Sequence, residues 1–508
     1  MGSLGADEGR YVQVARELLE SRNPFHLTVH GQPYDEKPPL AFAMFAAMLG
    51  LCGGEVSPWA VRLPSVLFAW MTVLLTWDLG RRRLSPRAGL WAGWVLATAP
   101  LFLTQAPTAR LDMLYAGWTL LAFWAWLARD PARPLPVRRA ALFWLALLGA
   151  FFTKGPVALL IVLATVVFAA WRERRLDRAR ELRPLTGFFT LIAAIAAWLW
   201  LQRVWQGEAF VEHQLEEQTL DRLLHGNHEE AFYYYFPRLL FDIFFPWSLF
   251  LLAGLWTWWK RRDLRTPILS LLLFWGLAPL ALFTLAADKR QMYLLPQLPA
   301  LALVVGWYLD AVFLDKALHP LADRLLGWGL AALAVAGAVA YPFLDTSFPG
   351  RETWSDVVVF YAGMAALAGA GMVSVRRATG GAEFARRLLA TMLVLGMLNH
   401  LWVNPMLNPR RGSRQFSRQI ETLLSEHNLP MRVGGIDNGA KPEYHVHGRY
   451  RVVPVLDRPE ALEGAPEVLV LREKTWQALE AAARARGYRP AWRATVSSDP
   501  LVVAVRAH

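Results

Sequence analysis

The sequence predicts a polytopic α-helical membrane protein of about 12 spans that ends in a small α/β domain. Three observations carry this reading. The apolar residues, 55% of 508, gather in blocks long enough to cross a hydrocarbon layer ~30 Å thick at about 1.5 Å per residue. The basic residues collect in short connections between those blocks. After residue 403 the pattern changes to short apolar runs flanked by polar helical segments.

The elements follow in chain order. Residues 7–21 (DEGRYVQVARELLES) form an amphipathic helix, with Tyr11, Val14, Ala15 and Leu18 on one face and Asp7 at the N-cap. Residues 39–54 (PLAFAMFAAMLGLCGG) are apolar but too short for a comfortable span, so they read as an interfacial or re-entrant helix. Spans are expected near 61–80, 88–106, 111–128, 139–153, 155–171, 186–204, 238–258, 267–286, 293–313, 324–345, 354–374 and 385–403. In the tail a helix near 413–426 precedes runs at 431–436, 451–456 and 467–471, then a helix near 474–486 and a last run at 501–505. Three domains result: external juxtamembrane helices in 1–60, a transmembrane domain in 61–403 and an α/β domain in 404–508.

Basic residues assign the sides. They are Arg81, Arg82, Arg83 and Arg87; Arg129, Arg133, Arg138 and Arg139; six arginines from Arg172 to Arg183; Lys260, Arg261, Arg262 and Arg265; Lys316 and Arg324; and Arg376, Arg377, Arg386 and Arg387. Successive groups are two spans apart, so all of them fall on one side, the cytoplasmic one. The segment before residue 60, the Arg110–Asp112 turn, Lys154, the acidic loop 205–237, residues 288–291 and the tail therefore face the other way. The chain then begins on the outside with nothing to carry it there, which points to a first span missing from this sequence. The net charge of +12 belongs to the loops, which argues against a nucleic-acid stripe. One cysteine, Cys52, excludes an intrachain disulfide and a thiolate metal cluster.

Charged residues at the outer ends of spans are the candidates for chemistry, because charge near lipid is costly. Asp7 and Glu8 read otherwise as a helix cap and a solvated carboxylate, Glu36-Lys37 as a surface ion pair, and Asp112 as a helix-start carboxylate. Lys154 would by default snorkel to the interface, or else hold an anion. Arg222, with His225 and His228, lies in the acidic loop, where HGNH has no settled metal-site spacing. Lys289, Arg290 and Tyr293 open a span, and an outside basic pair calls for an anionic partner such as lipid phosphate. Carboxylates and cations on one aqueous face suit transfer from a phosphate-bearing lipid. The cations hold the leaving phosphate while a carboxylate deprotonates the acceptor.

The ordered motifs DEGRY, YDEKPPL, RLD, TKGP, FYYYFP and KRQMYLLPQLPALAL resemble the bacterial membrane glycosyltransferases of the GT-C superfamily, in the branch of lipid A aminoarabinose and protein-mannosyltransferase-like enzymes. The resemblance spans essentially the whole chain. It implies a first span ahead of DEGRY and an inner-membrane location. It also implies a polyprenyl-phosphate-linked sugar as donor and inverting transfer, on the periplasmic face, to lipid A, another glycan or a protein. By motif it makes Asp7 and Asp112 the catalytic or acceptor-orienting carboxylates. Lys37 and Arg222 become phosphate ligands and Tyr293 lines the lipid-phosphate cavity, while Glu8 and Lys289 are substrate-binding candidates by their own positions at the outer ends of spans. It also implies a divalent metal held by Glu36 and a loop histidine. Aligning Arg222 with the family's loop arginine puts Thr219 where that histidine would stand, leaving His213 or His228 as substitutes, or no metal at all. The rival of another class is a transporter or flippase of lipid-linked sugar, resting on Asp242 and Asp310 at span positions. A membrane-anchored assembly protein built around the tail leaves the outer-face motifs unexplained.

Overall fold

The structure, a computed structural model, describes residues 4, 6–129, 133–174, 179–215, 234–285, 289–313, 381–398, 413–436, 440–496 and 499–506, with isolated positions between 328 and 372. The chain starts with α1 (Ala6–Ser21), a hairpin of β1 (Thr28–Val29) and β2 (Gln32–Pro33), and α2 (Leu40–Leu51). Glu17 on α1 accepts from the backbone N–H of His30 at 2.6 Å and of Gly31 at 3.1 Å, which ties the hairpin to the helix. The apolar face of α1 (Val12, Ala15, Leu18) packs on Phe42, Phe45, Ala46 and Leu49 of α2. With 12 residues, α2 extends about 18 Å, too short to cross, in keeping with its interfacial reading.

The helical body follows with α3 (Pro58–Arg83), α4 (Pro86–Thr98), α5 (Pro100–Gln105), α6 (Leu111–Leu127), α7 (Val137–Lys154) and α8 (Val157–Glu173). Among the described residues, Pro58–Arg83, Pro184–Gln206, Pro267–Leu285 and Gln291–Ala311 are long and apolar enough to cross a membrane. Three expected spans are not continuous helices. The one at 88–106 breaks between α4 and α5, where Pro100 has no N–H to continue the ladder. The one at 238–258 passes from Tyr235–Arg238 through a π-turn at Leu239–Ile243 into Trp247–Lys260. The one at 293–313 opens as the 3-10 turn Gln291–Gln297, which contains Pro296. The expected spans at 324–345 and 354–374 lie outside the described residues, isolated positions apart.

Small residues let the helices approach. A Cβ on Gly306 would stand 2.4 Å from the Ala88 carbonyl oxygen, and one on Gly89 would stand 2.4 Å from the Arg81 nitrogen. Phe123 stacks on Trp275 with ring centres 3.9 Å apart. Trp70, Leu185, Phe189, Ile192 and Trp200 point outward and are exposed, as side chains meeting lipid would be. The body is sided. At one end Arg83 donates to the Leu127 carbonyl at 2.8 Å and Arg139 to that of Ala128 at 2.6 Å, while Arg129 pairs with Glu181. At the other end lie α1, Arg62, Arg110 and Lys154.

The C-terminal unit is a five-stranded sheet in the order β4-β3-β5-β7-β6. Its strands are β3 (Arg432–Ile436), β4 (Arg451–Val455), β5 (Val468–Arg472), β6 (Tyr488–Val496) and β7 (Asp499–Arg506), with β3 parallel to β4 and β5, and β7 antiparallel to β5 and β6. Alternation along β5 sends Val468 and Val470 to helix Ser413–Glu426, and Leu469 and Leu471 to helix Glu473–Ala485. Strand β6 is absent from the sequence reading because exposed Arg489, Ala491, Arg493 and Thr495 alternate with its inward residues, leaving no continuous apolar run. The unit rests on α1, where Arg16 donates to the Gly448 carbonyl at 2.6 Å and Val446 joins the α1–α2 core.

Candidate active site

The end of the body away from the arginine-rich connections gathers charge from four distant stretches of chain. Asp112 lies in the first turn of α6, and its carboxylate is 4% exposed. Lys154, the last residue of α7, turns inward and pairs with Asp112 instead of snorkelling. The lysine has a buried counter-charge within reach, 42 residues upstream, that span composition cannot reveal. Its ammonium also stands 5.0 Å from the centre of the Tyr293 ring and 5.6 Å from that of Tyr115. Arg110 bridges two carboxylates, at 3.4 Å from Asp112 and 2.6 Å from Asp7. The Asp7 side chain keeps 33% of its surface in the open. Burial, with the Asp112 and Asp7 charges nearby, pushes the Tyr11 hydroxyl pKa up, so the phenol stays a neutral neighbour of the cluster.

Glu8, expected to contact substrate, is used to tether α1. Its carboxylate receives Arg62 at 2.8 and 2.9 Å and the Ala109 N–H at 2.8 Å, and it is 4% exposed. Its neighbour Asp7 is thereby presented to the Arg110 turn. Glu36 meets Arg10 at 3.0 Å, and Lys37 adds electrostatic attraction on Asp112. Helix Glu208–Leu215 holds this segment down, with Gln214 donating to the Asp35 carbonyl at 2.8 Å. Lys289 is buried, and the Arg290 backbone beside it exchanges hydrogen bonds of 3.1 and 3.2 Å with the Tyr235 hydroxyl. Arg222 and His228 lie outside the described residues, as does the side chain of His213.

Of the metal ligands that the resemblance implies, only the Glu36 side chain lies among the described residues. The Glu36 carboxylate faces a guanidinium, and among the described residues no three His, Cys, Asp or Glu side chains converge as ligands. The acids on which transport would rest are accounted for elsewhere. Asp242 takes Arg238 at 3.3 Å and the Gln291 amide, and Asp310 takes the Ser85 hydroxyl.

The structure thus brings Asp7, Asp112, Lys37 and Tyr293 together around Lys154 and Arg110. Lys37, Arg110 and Lys154 all act on Asp112, a gathering of cations suited to an arriving phosphate. The sequence gives little sign of Arg62, a lone arginine in the first turns of an apolar span whose partner lies 54 residues earlier. Arg110 was visible only as part of the RLD turn.

Residues 36–200 match the sequence profile of the dolichyl-phosphate-mannose-protein mannosyltransferase family. An undecaprenyl phosphate-α-4-amino-4-deoxy-L-arabinose arabinosyl transferase of Pseudomonas aeruginosa is 31% identical over 415 residues, covering 78% of this chain and 72% of that protein. A counterpart in Pseudomonas paraeruginosa is 30% identical over 437 residues, covering 83% and 76%. The crystal structure of ArnT from Cupriavidus metallidurans bound to undecaprenyl phosphate superposes with a TM-score of 0.79 at 21% identity, covering 99% of this chain and 94% of that one. The apo form of the same protein gives 0.76 at 22% identity.

Proposed function

The chain belongs to the family of undecaprenyl phosphate-α-4-amino-4-deoxy-L-arabinose arabinosyl transferases, and from that membership we propose how its outer-face cluster transfers a sugar. It is a GT-C membrane glycosyltransferase that moves a sugar from a polyprenyl-phosphate donor to an envelope acceptor such as lipid A. The reaction is placed on the periplasmic face of the inner membrane, with about a dozen spans and the α/β unit outside. The arginine-rich connections at the opposite end support that orientation.

The observation that carries the site assignment is the contrast between the two aspartates. Asp112 is buried and clamped by Lys154 and Arg110, whereas Asp7 is partly open and held by Arg110 alone among the partners shown for it. Asp7 is therefore the base. It takes the acceptor's proton as the acceptor oxygen bonds to the anomeric carbon, and the bond from that carbon to the phosphate oxygen breaks. The electron pair leaves with the polyprenyl phosphate, whose growing charge is met by Lys37, Lys154 and Arg110. Asp112 keeps those cations in place. Arg222 and Lys289 join them as phosphate ligands, and Tyr293 lines the lipid-phosphate cavity beside Lys154. Glu36 serves by holding the Lys37 segment against Arg10.

The test supplies purified protein with polyprenyl-phosphate-linked sugar and lipid A and measures free polyprenyl phosphate. Asp7→Asn is expected to slow release by about 10²–10⁴-fold, the usual range for a lost general base. Release within a few fold of wild type would overturn the role of Asp7. Unconsumed donor moving between vesicle leaflets would instead favour transport.

A further inference from the structure

A second charged site lies one layer away from the aspartates. A cavity of about 540 Å³ opens between α1, the turn after α2 and the C-terminal unit, lined by Arg16, Arg414, Arg418, Arg449, His447 and the backbone of Gly53 and Gly54. Three acids also reach it, two of them in ion pairs and the third accepting a backbone N–H. Glu20 pairs with Arg16 at 3.4 Å, Glu55 with Arg449, and Glu421 accepts the Arg449 N–H. Arg414 and Arg418 are exposed one turn apart on helix Ser413–Glu426, and among the described residues they have no ion pair or hydrogen bond. On the wall between them and α1, the Nε2 of His447 is buried without a hydrogen-bond partner. Burial, then the charges of Arg414, Arg62 and Arg418, hold the His447 pKa down to about 4. Neutral imidazole donating to an anion satisfies that nitrogen.

Two further features narrow the ligand. The lining residues Gly53, Gly54, Glu55 and Val56 run directly into α3, where Trp59 is exposed as an interface tryptophan would be, and Leu51 beside them is 80% exposed. The cavity therefore opens at headgroup level. It also lies near the aspartates: His447 is within electrostatic reach of Arg62, Arg62 pairs with Glu8, and Glu8 accepts the N–H of Ala109, the residue before the Arg110 that pairs with Asp7.

We propose that this cavity takes a phosphate group of the acceptor glycolipid, held by Arg414, Arg418 and His447, so that the acceptor's nucleophilic oxygen is delivered to Asp7. This rests on the glycosyltransferase reading above. It adds an acceptor subsite separate from the cations around Asp112, where the donor's phosphate leaves. One protein then keeps two phosphates of like charge apart while bringing their sugars together.

The experiment uses the full chain in phosphatidylcholine nanodiscs. Polyprenyl phosphate release is followed against graded lipid A and against lipid A stripped of its phosphates. Native mass spectrometry of lipid A adducts gives a binding readout that needs no turnover. In R414A/R418A the KM for lipid A should rise about tenfold or more, from the loss of charge-assisted hydrogen bonds, while donor KM moves less than about twofold. R414K/R418K should recover most of the affinity. Stripped lipid A should behave alike with wild type and R414A/R418A. An unchanged lipid A KM in R414A/R418A, with turnover intact, overturns the cavity and leaves the enzyme reading standing. Arginine-dependent lipid A adducts without any polyprenyl phosphate release leave the cavity standing and sink the enzyme reading. Phosphatidylglycerol or inorganic phosphate occupying the site as strongly as lipid A would overturn its assignment to the acceptor.

Discussion

The two ends of the helical body are both rich in arginine, and apart from the Arg129–Glu181 and Arg81/Arg82–Asp78 ion pairs they use it in different ways. At the end with the basic connections, guanidinium groups meet helix-terminal carbonyls: Arg83 on Leu127, Arg139 on Ala128 and Arg265 on Trp258 and Trp259. Those contacts satisfy acceptors that every helix C-terminus leaves open. At the opposite end, cations meet the buried carboxylates Glu8 and Asp112 and the partly open Asp7, and the partners come from residues 7–8, 62, 109–112 and 154. The first arrangement fixes how helices end. The second brings together charges that water would otherwise keep apart, and only function repays that desolvation.

The comparison breaks most severely at Arg62. Arg62→Met takes the guanidinium from the buried Glu8 carboxylate, and breaking a buried ion pair costs about 3–5 kcal/mol. Thermal unfolding in detergent should drop accordingly, and α1 should become the first segment cut in limited proteolysis. Glu8→Gln combined with Arg62→Met should recover most of that stability, since both charges are then gone. If the double variant is no better than the single one, the outer end is not held by this pair.

Next in size is Lys154. Lys154→Ala removes a cation from the Asp112 cluster, and kcat/KM for the donor should fall about 10²-fold, or roughly 2.7 kcal/mol of transition-state stabilisation. Lys154→Arg should recover part of it. A loss confined to KM, with kcat unchanged, would mean that Lys154 binds the ground state and gives the leaving phosphate no special help.

Much of the architecture was legible because it depends on local pattern. The helices at 7–21 and 413–426 and the strands at 431–436 and 451–456 emerge within a residue or so of their positions, since amphipathic and alternating periodicity is a property of neighbours in sequence. Hydropathy averages over breaks, so it runs straight through the interruptions at Pro100 and in the 3-10 turn at Gln291–Gln297. The site divides in the same way. Asp7, Asp112 and Lys37 stand out by sidedness and motif, but the inward turn of Lys154 and the Glu8–Arg62 pair depend on contacts 42 and 54 residues apart. Glu8 and Asp7 are adjacent acids in sequence. Only packing against α3 and the Ala109 N–H makes one a tether and leaves the other open.

The smallest effect belongs to the basic end, and it shows whether the two uses of arginine are separable. Arg83 is half-buried and donates to the last carbonyl of α6, so Arg83→Ala removes one charge-assisted hydrogen bond from a helix C-terminus. Water can reach that end and satisfy the carbonyl in its place, so the cost should be about 1 kcal/mol, a shift of a few degrees in Tm. Turnover per folded molecule should stay within about twofold of wild type, because none of the outer-end contacts involves Arg83 in the pairs described. A large loss of turnover in correctly inserted protein would mean that the two ends are mechanically coupled through α3, which carries Arg62 near its start and Arg83 at its end. Rigid transmission along that one helix would then be the feature to measure, by comparing donor KM in Arg83→Ala with that in Lys154→Ala.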